Sequence, residues 1–252
     1  MKIDKFENMN LSEEILKALK NLGFEKPSEV QQEVIPYILD KKDLVVKSQT
    51  GSGKTASFGI PLCELVNVEE NKVKALILVP TRELAIQVKE DISNIGRLKK
   101  VRCAAIFGKQ PFNEQIRELK QRVHIVCGTP GRVIDHIERG NLDINDIDFV
   151  IIDEADKMLN MGFIDQIRDV LDKLPQSKNT ALFSATIPKE IEGLYSNYMN
   201  NPAVLNIKSK VFNRDKISEK YLNVDREEKF KYLLKSLYAF ILPPLGELPE
   251  AV

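Results

Sequence analysis

The sequence predicts an α/β fold, with a mostly parallel sheet and helices on both faces. Short runs rich in Val, Ile and Leu alternate with longer amphipathic segments, a pattern typical of buried parallel strands joined by helices. The runs are DLVVK, ALILVP, RCAAIF, HIVCG, FVIID, TALFS and AVLNI. Polar or glycine-rich residues directly follow several of them, and ligands of such sheets gather at the carboxyl ends of the strands. We therefore expect one functional site along that edge.

The first run leads into a glycine-rich loop, VVKSQTGSGKTASF, at residues 45–58. A strand, a glycine loop and a helix N-terminus form an anion site, because backbone N–H groups point into the loop and the helix dipole adds positive potential. The phosphate-binding pattern is G-x-x-x-x-G-K-[ST]. Ser48 occupies its first glycine position, and Gly53, Lys54 and Thr55 match the rest. The alternative is a chance Gly/Ser turn, but the strand before and the helix after favour a phosphate site.

The middle of the chain is locally basic, although the whole chain is neutral. Lys and Arg total 37, as do Asp and Glu, so no global positive field attracts nucleic acid. Residues 97–122 contain eight cations against Glu114 and Glu118. The cations are Arg97, Lys99, Lys100, Arg102, Lys109, Arg117, Lys120 and Arg122. This segment is either a solvated helix face or a patch that flanks bound nucleic acid.

Four acidic-loop residues, Asp-Glu-Ala-Asp at 153–156, follow the run FVII. A carboxylate at a strand end can hold Mg²⁺, usually through water, and its neighbour can accept a proton from an attacking water. Alone, such a loop is equally well explained as a solvated turn. Together with the phosphate loop, it indicates a nucleotide-hydrolysing site.

Cysteine and histidine content bounds the other chemistry. Cys63, Cys103 and Cys127 lie among apolar or small neighbours, as reduced core thiols of a cytosolic protein do. With two histidines and no C-x-x-C pair, the usual ligands of a structural zinc are absent from the sequence.

The N-terminus MKIDKFENMN has no apolar signal region, and no run approaches the length of a membrane span. We expect a soluble, cytoplasmic protein.

Five motifs, SQTGSGKT, PTRELAIQ, TPGR, DEAD and SAT, occur in the order found in the DEAD-box RNA helicases, and the chain resembles that family. The upstream GFEKPSEVQ resembles its adenine-recognising Q motif, and Phe6 lies where the family places an isolated aromatic. The resemblance covers about residues 4–225 and implies a RecA-like P-loop domain. The stretches FGKQ, HIVCGTPGRVIDHIERG and MLNMGF most resemble the bacterial DbpA-like group, which acts on ribosomal RNA in ribosome assembly.

The resemblance implies ATP and Mg²⁺ as ligands. Phe24 and Lys26 would flank the adenine, and the Gln31 amide, a donor and an acceptor together, would read its edge and select ATP over GTP. Residues implied to contact the nucleotide are Phe6, Phe24, Lys26, Gln31, Gln49, Thr50, Gly51, Ser52, Gly53, Lys54 and Thr55. The implied catalytic residues are Lys54 on the phosphates, Asp153 and Glu154, which would orient or deprotonate water. Thr55 and Asp153 would hold the metal.

The resemblance also implies RNA binding through the sugar-phosphate backbone. The implied residues are Pro80, Thr81, Arg82, Gly108, Thr129, Pro130, Gly131 and Arg132. Hydroxyls, arginines and loop amides hold phosphates without reading bases, so no sequence preference is expected. Ser184 and Thr186 would link the two sites through the acidic loop; otherwise they form a simple strand-end turn. Lys109 stands where the family has a second glycine, and a lysine there either adds a phosphate contact or alters the backbone approach to RNA.

The sequence pattern changes after Ile207. A polar connector KSKVFNRDKISEK precedes a strand candidate YLNVD, a helix candidate REEKFKYLLKSLY and the Pro- and Gly-containing AFILPPLGELPEAV. We expect residues 1–207 to form the N-terminal RecA-like domain and 208–252 a linker with the start of a second one. Because the second domain supplies arginine fingers in this family, we expect the 252 residues alone to be nearly inactive monomers.

Two alternatives follow from this organisation. One is an ATP- and RNA-binding half-clamp or fragment without catalytic activity, and the sequence after Ile207 favours it. The other is a DNA helicase or a different P-loop ATPase. The Q motif and the Asp-Glu-Ala-Asp sequence of the acidic motif disfavour it.

Overall fold

A computed structural model describes residues 3–49, 53–207 and 223–241 of the chain. The chain divides into two compact units, Met1–Lys210 and Val211–Val252. Within the described residues, no helix combines the length and the apolar character that crossing a membrane requires.

The first unit alternates strands and helices along the chain. A 3₁₀ helix, Phe6–Met9, precedes the α-helices α1 Glu13–Asn21 and α2 Glu29–Leu39. The strands are β1 Leu44–Lys47, β2 Ala75–Leu78, β3 Cys103–Ile106, β4 Ile125–Gly128, β5 Phe149–Ile152, β6 Asn179–Ser184 and β7 Ala203–Asn206. The other helices are α3 Lys54–Leu65, α4 Arg82–Ile95, α5 Phe112–Leu119, α6 Pro130–Glu138, α7 Ala155–Asn160, α8 Ile164–Lys173 and α9 Lys189–Tyr198.

The strands form one sheet with the order β3-β4-β2-β5-β6-β1-β7. Every pairing in this sheet is parallel. Each of the seven apolar runs predicted for the sheet forms a strand, and the parallel α/β fold is confirmed. Between strands the chain returns through helices, because consecutive parallel strands need a long crossover.

The core consists of two apolar layers, one on each face of the sheet. Along β1, Leu44 and Val46 join the layer that packs under α1–α4, whereas Val45 joins the layer under α6–α9. Neighbouring strand residues point to opposite faces, so a strand buried on both sides reads as a continuous apolar run. Each fully buried aliphatic side chain contributes about 1.5–3 kcal/mol relative to an exposed one.

The strand order divides the carboxyl edge of the sheet into two halves. The predicted phosphate loop follows β1, the predicted acidic loop follows β5, and the predicted coupling residues lie at the end of β6; these three strands are neighbours in the sheet. The predicted RNA-binding residues follow β2, β3 and β4, which are also neighbours. Segments far apart in the sequence are thereby placed along one edge, as the sequence predicts for a single site.

In the second unit, the structure describes residues 223–241. A turn at 226–228 leads into the helix α10, Lys229–Ile241. The predicted helix therefore differs at both ends: it begins later, after a turn closed by the Glu228 N–H on the Asp225 carbonyl at 3.0 Å, and it continues to Ile241. Residues 223–225 are not in a strand, so the predicted YLNVD strand is not formed there. Its first two residues, Tyr221 and Leu222, and the proline-containing end lie outside the described residues.

Candidate functional site

A cavity of about 490 Å³ lies at the β1–β5 half of the carboxyl edge. Three predicted segments meet in it, and they contribute Phe24 and Gln31, Gly53, Lys54 and Thr55, and Asp153 and Glu154. Residues of α4 complete its wall. This cavity gathers most of the residues that the sequence assigns to ATP.

The start of α3 has the backbone geometry of a phosphate loop. Gly53 caps the helix with φ 87°, in the left-handed region where only glycine is unstrained. A Cβ added at Gly53 would lie 2.9 Å from Gln31 Nε2, so a larger residue would also displace the Gln31 amide. Lys54 follows with 7% of its surface exposed, inside the cavity. Thr50, Gly51 and Ser52, which complete the predicted phosphate cradle, lie outside the described residues.

Ser48, at the first glycine position of the pattern, has an ordinary strand-like role. Its N–H donates to the Ser184 carbonyl at 3.0 Å, which extends the pairing of β1 with β6 beyond the strand ends. Ser48 is absent from the described residues with positive φ, so its backbone does not need a glycine. Its buried hydroxyl finds no hydrogen-bond partner among the described residues.

The Gln31 amide joins the cap of α2 to the loop. Its Oε1 accepts from the Ser28 N–H at 2.9 Å, and its Nε2 donates to the Gly53 carbonyl at 3.3 Å. Gln31 is buried rather than solvated, unlike an ordinary surface-helix residue. Each amide atom keeps one further hydrogen-bonding position, an acceptor and a donor. These are the two groups needed to pair with an adenine edge.

The other predicted nucleotide contacts occupy different environments. Phe24 lines the cavity, and Phe6 is buried against it with an edge-to-face contact of 6.1 Å between ring centroids. Phe6 thus supports Phe24 from the core. Lys26 and Gln49 are exposed.

The acidic loop places one buried and one partly buried carboxylate beside Lys54. Asp153 is 3% exposed, and its Oδ1 accepts from the Glu154 N–H at 2.9 Å. Burial raises the pKa of Asp153 to about 6, although Lys54 lowers it. Glu154 has a left-handed backbone, φ 53° and ψ 46°, and its carboxylate accepts from Lys157 Nζ at 2.9 Å. Non-glycine residues in this conformation are strained and cluster at functional sites.

Thr55 and Asp153 fit a magnesium site. Hydroxyl and carboxylate oxygens are the ligands that Mg²⁺ accepts, and this ion keeps several waters and binds substrate phosphates. Within the described residues, no group of three or more His, Cys, Asp or Glu side chains is placed to hold a metal. A metal at this position would therefore need oxygens from water and nucleotide.

Asp156 connects the acidic loop with the end of β6. Its Oδ2 accepts from the Thr186 N–H at 2.9 Å and from the Thr186 hydroxyl at 3.0 Å, and its own N–H donates to Ser184 Oγ at 3.1 Å. Burial raises the pKa of Asp156, but the hydrogen bonds from Thr186 and Ser184 outweigh it, so the pKa is lowered. The contacts predicted for Ser184 and Thr186 are present. Their role in coupling stays a prediction.

The β2–β4 half of the edge carries the residues predicted to bind RNA. Thr81 caps α4, where its hydroxyl accepts from the Leu84 N–H at 3.2 Å, and Pro80 is buried before it. The Arg82 guanidinium lies 5.1 Å from the centroid of the Phe107 ring. An exposed arginine and a helix N-terminus therefore stand side by side after β2.

The loop after β3 and the start of α6 contain the other predicted RNA contacts. Gly108 and Lys109 are exposed, and Lys109 has φ 62°, a conformation that favours glycine. Thr129 precedes α6, and Pro130 begins it, as suits a position whose N–H needs no partner. At Gly131 a Cβ would approach Gln166 Oε1 to 3.1 Å.

Arg132 is less exposed than a phosphate-binding arginine is expected to be. Its NH1 group donates to the Gln110 carbonyl at 3.2 Å and to Gln115 Oε1 at 3.1 Å. Its guanidinium also lies 4.9 Å from the centroid of the Phe112 ring. Most of this side chain is thus used within the protein.

The basic segment 97–122 does not form one patch, so the interpretation of it as a single patch is wrong, whereas a contribution of its cations to RNA binding stays a prediction. Strand β3 passes through the segment, so its first cations precede β3 and its last ones precede β4 at the amino edge. Of these charges, Lys109 follows β3 and lies at the carboxyl edge. Several others pair locally: Lys99 approaches Glu64, and Arg122 donates to the Glu69 carbonyl.

The sequence reasoning missed two groups of residues. Gln87, Asp91 and Asn94 of α4 line the cavity, and burial raises the pKa of Asp91. Their spacing along one helix face was the available signal. Gln115 and His136 form a buried polar contact between α5 and α6, for which the sequence carries no spacing signal.

A family model described as DEAD/DEAH box helicase matches residues 28–194. The chain is 56% identical over 228 residues to the ATP-dependent RNA helicase DbpA of Bacillus subtilis, covering 90% of the chain and 48% of that protein. It is 45% identical over 232 residues to the DEAD-box ATP-dependent RNA helicase CshA of Geobacillus kaustophilus, covering 92% and 50%. The chain thus spans about half the length of these curated relatives.

Two solved structures resemble the fold. A DEAD box protein from Methanococcus jannaschii matches with a TM-score of 0.80 and 43% identity, over 94% of this chain and 64% of that one. A hypothetical ATP-dependent RNA helicase from Sulfolobus tokodaii matches with a TM-score of 0.73 and 39% identity, over 78% and 57%.

Proposed function

Because the chain belongs to the DEAD/DEAH box helicase family, we propose that it is the ATP- and RNA-binding N-terminal RecA-like part of an ATP-dependent RNA helicase. One observation carries the proposal. The loops predicted to bind ATP and the loops predicted to bind RNA lie in adjoining halves of one edge of the sheet.

In the proposed ATP site, each described residue has a separate task. Gln31 pairs with the adenine edge through its remaining donor and acceptor positions, and Phe24 forms an apolar wall beside it. The N–H groups at the start of α3 and the Lys54 ammonium hold the phosphates. Adenine specificity and phosphate affinity are thus assigned to different side chains.

Thr55 and Asp153 would hold Mg²⁺, which would neutralise charge on the phosphate oxygens of the nucleotide. Glu154 orients the attacking water or accepts its proton. Its exposed neighbour Lys157 fixes the position of the carboxylate through their 2.9 Å contact. This contact is partly solvated, so the glutamate can exchange it for a water molecule.

The proposed RNA site binds the sugar-phosphate backbone. Thr81, Arg82, Lys109 and the α6 N-terminus offer hydroxyls, cations and amides, which position a strand without reading its bases. Ribosomal RNA as the substrate, ribosome assembly as the setting and a cytoplasmic location belong to the same proposal. They rest on the resemblance to DbpA-like proteins and on the three unpaired thiols.

Turnover, in this proposal, requires a second RecA-like domain joined after Ile207. The relatives are about twice as long as the matched region, which supports a further domain in the whole protein. A second domain would add cations to the transferring phosphate, and in related sites one such arginine is worth about 10³–10⁵ in rate.

Calorimetric titration of the chain with Mg·ATP and Mg·GTP tests the nucleotide assignment. We expect ATP to bind and GTP to bind at least about tenfold more weakly, since GTP mispairs with the Gln31 amide. Lys54→Ala should remove most affinity, and Lys120→Ala, which removes an exposed lysine at the other edge, should not. Equal affinity for both nucleotides would contradict the proposal.

A further inference from the structure

The Gln115 amide is the centre of a buried polar network beside the proposed RNA site. It is 0% exposed, and its Nε2 donates to the Phe107 carbonyl and to Gln110 Oε1, both at 2.8 Å. Its Oε1 accepts from Arg132 NH1 at 3.1 Å and lies 3.0 Å from His136 Nε2. All the hydrogen-bonding positions of this amide are therefore used.

The partners fix the orientation of the amide and the tautomer of the histidine. A backbone carbonyl only accepts, so the amide nitrogen must face Phe107 and the amide oxygen must face His136. His136 then donates through Nε2–H, and its buried Nδ1 finds no hydrogen-bond partner among the described residues. The ring also stacks on Phe112, with centroids 4.2 Å apart and planes at 13°. Gln115 is thus held in one orientation on every side.

The network ties together three segments that the proposed function assigns to RNA. Phe107 and Gln110 border the exposed loop that contains Gly108 and Lys109, and both are bonded to Gln115. Arg132, at the start of α6, bonds to Gln115 and to the Gln110 carbonyl. Arg82, at the start of α4, lies over the Phe107 ring.

The chemistry of the position argues for more than core packing. Burying an amide without partners costs free energy, and an apolar residue would fill a core position without that cost. Here every partner of the amide belongs to the loop after β3 or to α6. A loop held at both ends loses less freedom on binding, so the binding energy of its contacts is retained.

We propose that Gln115 is a positioning residue for RNA binding. It holds segment 107–110 at a fixed distance from Arg132, so that Lys109 and the neighbouring loop amides meet the RNA backbone together with the starts of α4 and α6. This inference rests on the proposed RNA-binding function. Gln115 itself touches no RNA.

The test is RNA binding by the full chain with Gln115→Met, which keeps the side-chain shape and removes the hydrogen bonds. Fluorescence anisotropy with a labelled single-stranded RNA of mixed sequence, in the presence of a non-hydrolysable Mg·ATP analogue, should show affinity weakened by about tenfold or more, while analogue affinity stays within about twofold. The matched control is Asp43→Asn at the amino edge. Asp43 is also buried and also accepts two backbone N–H bonds, from Thr180 at 2.7 Å and Asn200 at 2.6 Å.

A second pair of variants tests the same inference if Gln115→Met does not fold. His136→Gln keeps a donor near the Nε2 position and should retain RNA affinity, whereas His136→Leu should lose it. Equal RNA affinity in Gln115→Met and the unaltered chain, equal loss in Asp43→Asn, or equal affinity in the two His136 variants would overturn the positioning role. Failure of the unaltered chain to bind RNA would instead overturn the proposed function on which it rests.

Discussion

At the scale of single residues, the Gln31 amide serves both the fold and the cavity. It caps α2 with Ser28 and contacts the Gly53 carbonyl. Gln31→Ala should therefore weaken ATP binding by about 1–3 kcal/mol through lost hydrogen bonds and leave GTP binding nearly unchanged. Calorimetry with both nucleotides measures the ratio of ATP affinity to GTP affinity. Ser28→Ala is the control, because it disturbs the same cap without removing the amide; a ratio that falls equally in both variants would contradict the adenine assignment.

Lys54 and Glu154 should separate nucleotide binding from chemistry. Lys54→Ala removes a charge-assisted contact that exists in the ground state, so ATP affinity should fall by about 10- to 100-fold. Glu154→Gln should keep ATP affinity and lower turnover by about 10²–10⁴, because the glutamate acts only as water attacks. Binding titrations paired with single-turnover hydrolysis, both in the chain joined to a complete second RecA-like domain, give both quantities. Loss of ATP binding in folded Glu154→Gln protein would refute the role given to Glu154.

At the scale of elements, α7 and the end of β6 meet through Asp156 and Thr186. Thr186→Val removes the hydroxyl contact at 3.0 Å and leaves the N–H contact at 2.9 Å. We expect unchanged ATP affinity and a smaller effect of ATP on RNA affinity, because coupling between two sites is a free-energy difference carried by such contacts. RNA titrations with and without an ATP analogue, in the chain joined to a second RecA-like domain, measure the coupling. Thr180→Val, at the amino end of β6, is the control, and an equal change there would contradict the assignment.

The contact between α5 and α6 should make stability depend on pH. The pKa of His136 is lowered to about 4, chiefly by burial and also by Arg132 and Arg139, while Asp135 opposes them; Phe112 and Gln115 are its uncharged neighbours on α5. The unfolded chain then binds more protons than the folded one between about pH 6.5 and 4. The contribution of His136 to stability should be complete above this window and be lost as the pH falls through it. Thermal unfolding of the chain and of His136→Phe across this pH range checks the prediction. The variant should lose less stability than the unaltered chain as the pH falls. Parallel plots of stability against pH for the two proteins would contradict the prediction.

The sequence predicts an element well where the pattern lies within one segment of the chain. It predicts poorly the contacts that depend on how distant segments pack together. The seven apolar runs specify strands because both faces of this sheet are buried, and Gly53 marks the loop because its φ is 87°. Gln115 and His136 are 21 residues apart, and their contact depends on how α5 and α6 pack, which no local pattern encodes. The basic segment misled for the same reason: charges adjacent in sequence were separated by β3, which carries Lys109 to the opposite edge.

At the scale of the whole molecule, the two halves of the sheet edge bring the proposed ATP site and the proposed RNA site together on one RecA-like unit. The neutral net charge confines RNA binding to local groups, so the affinity should be modest and should fall with salt as a few phosphates are neutralised. A second domain tethered after Ile207 would raise the local concentration of its partner surfaces, and ATP and RNA would then favour the closed arrangement.

Steady-state ATP hydrolysis with saturating RNA tests the central claim most directly. Two proteins are compared: the 252-residue chain, and the same chain joined through its own connector to a complete second RecA-like domain. We predict ATP binding by both, hydrolysis barely above background by the first, and strong RNA-stimulated hydrolysis by the second, which Lys54→Ala abolishes. Robust RNA-dependent hydrolysis by the 252-residue chain, with contaminating activity excluded by its own Lys54→Ala variant, would contradict the requirement for a second domain.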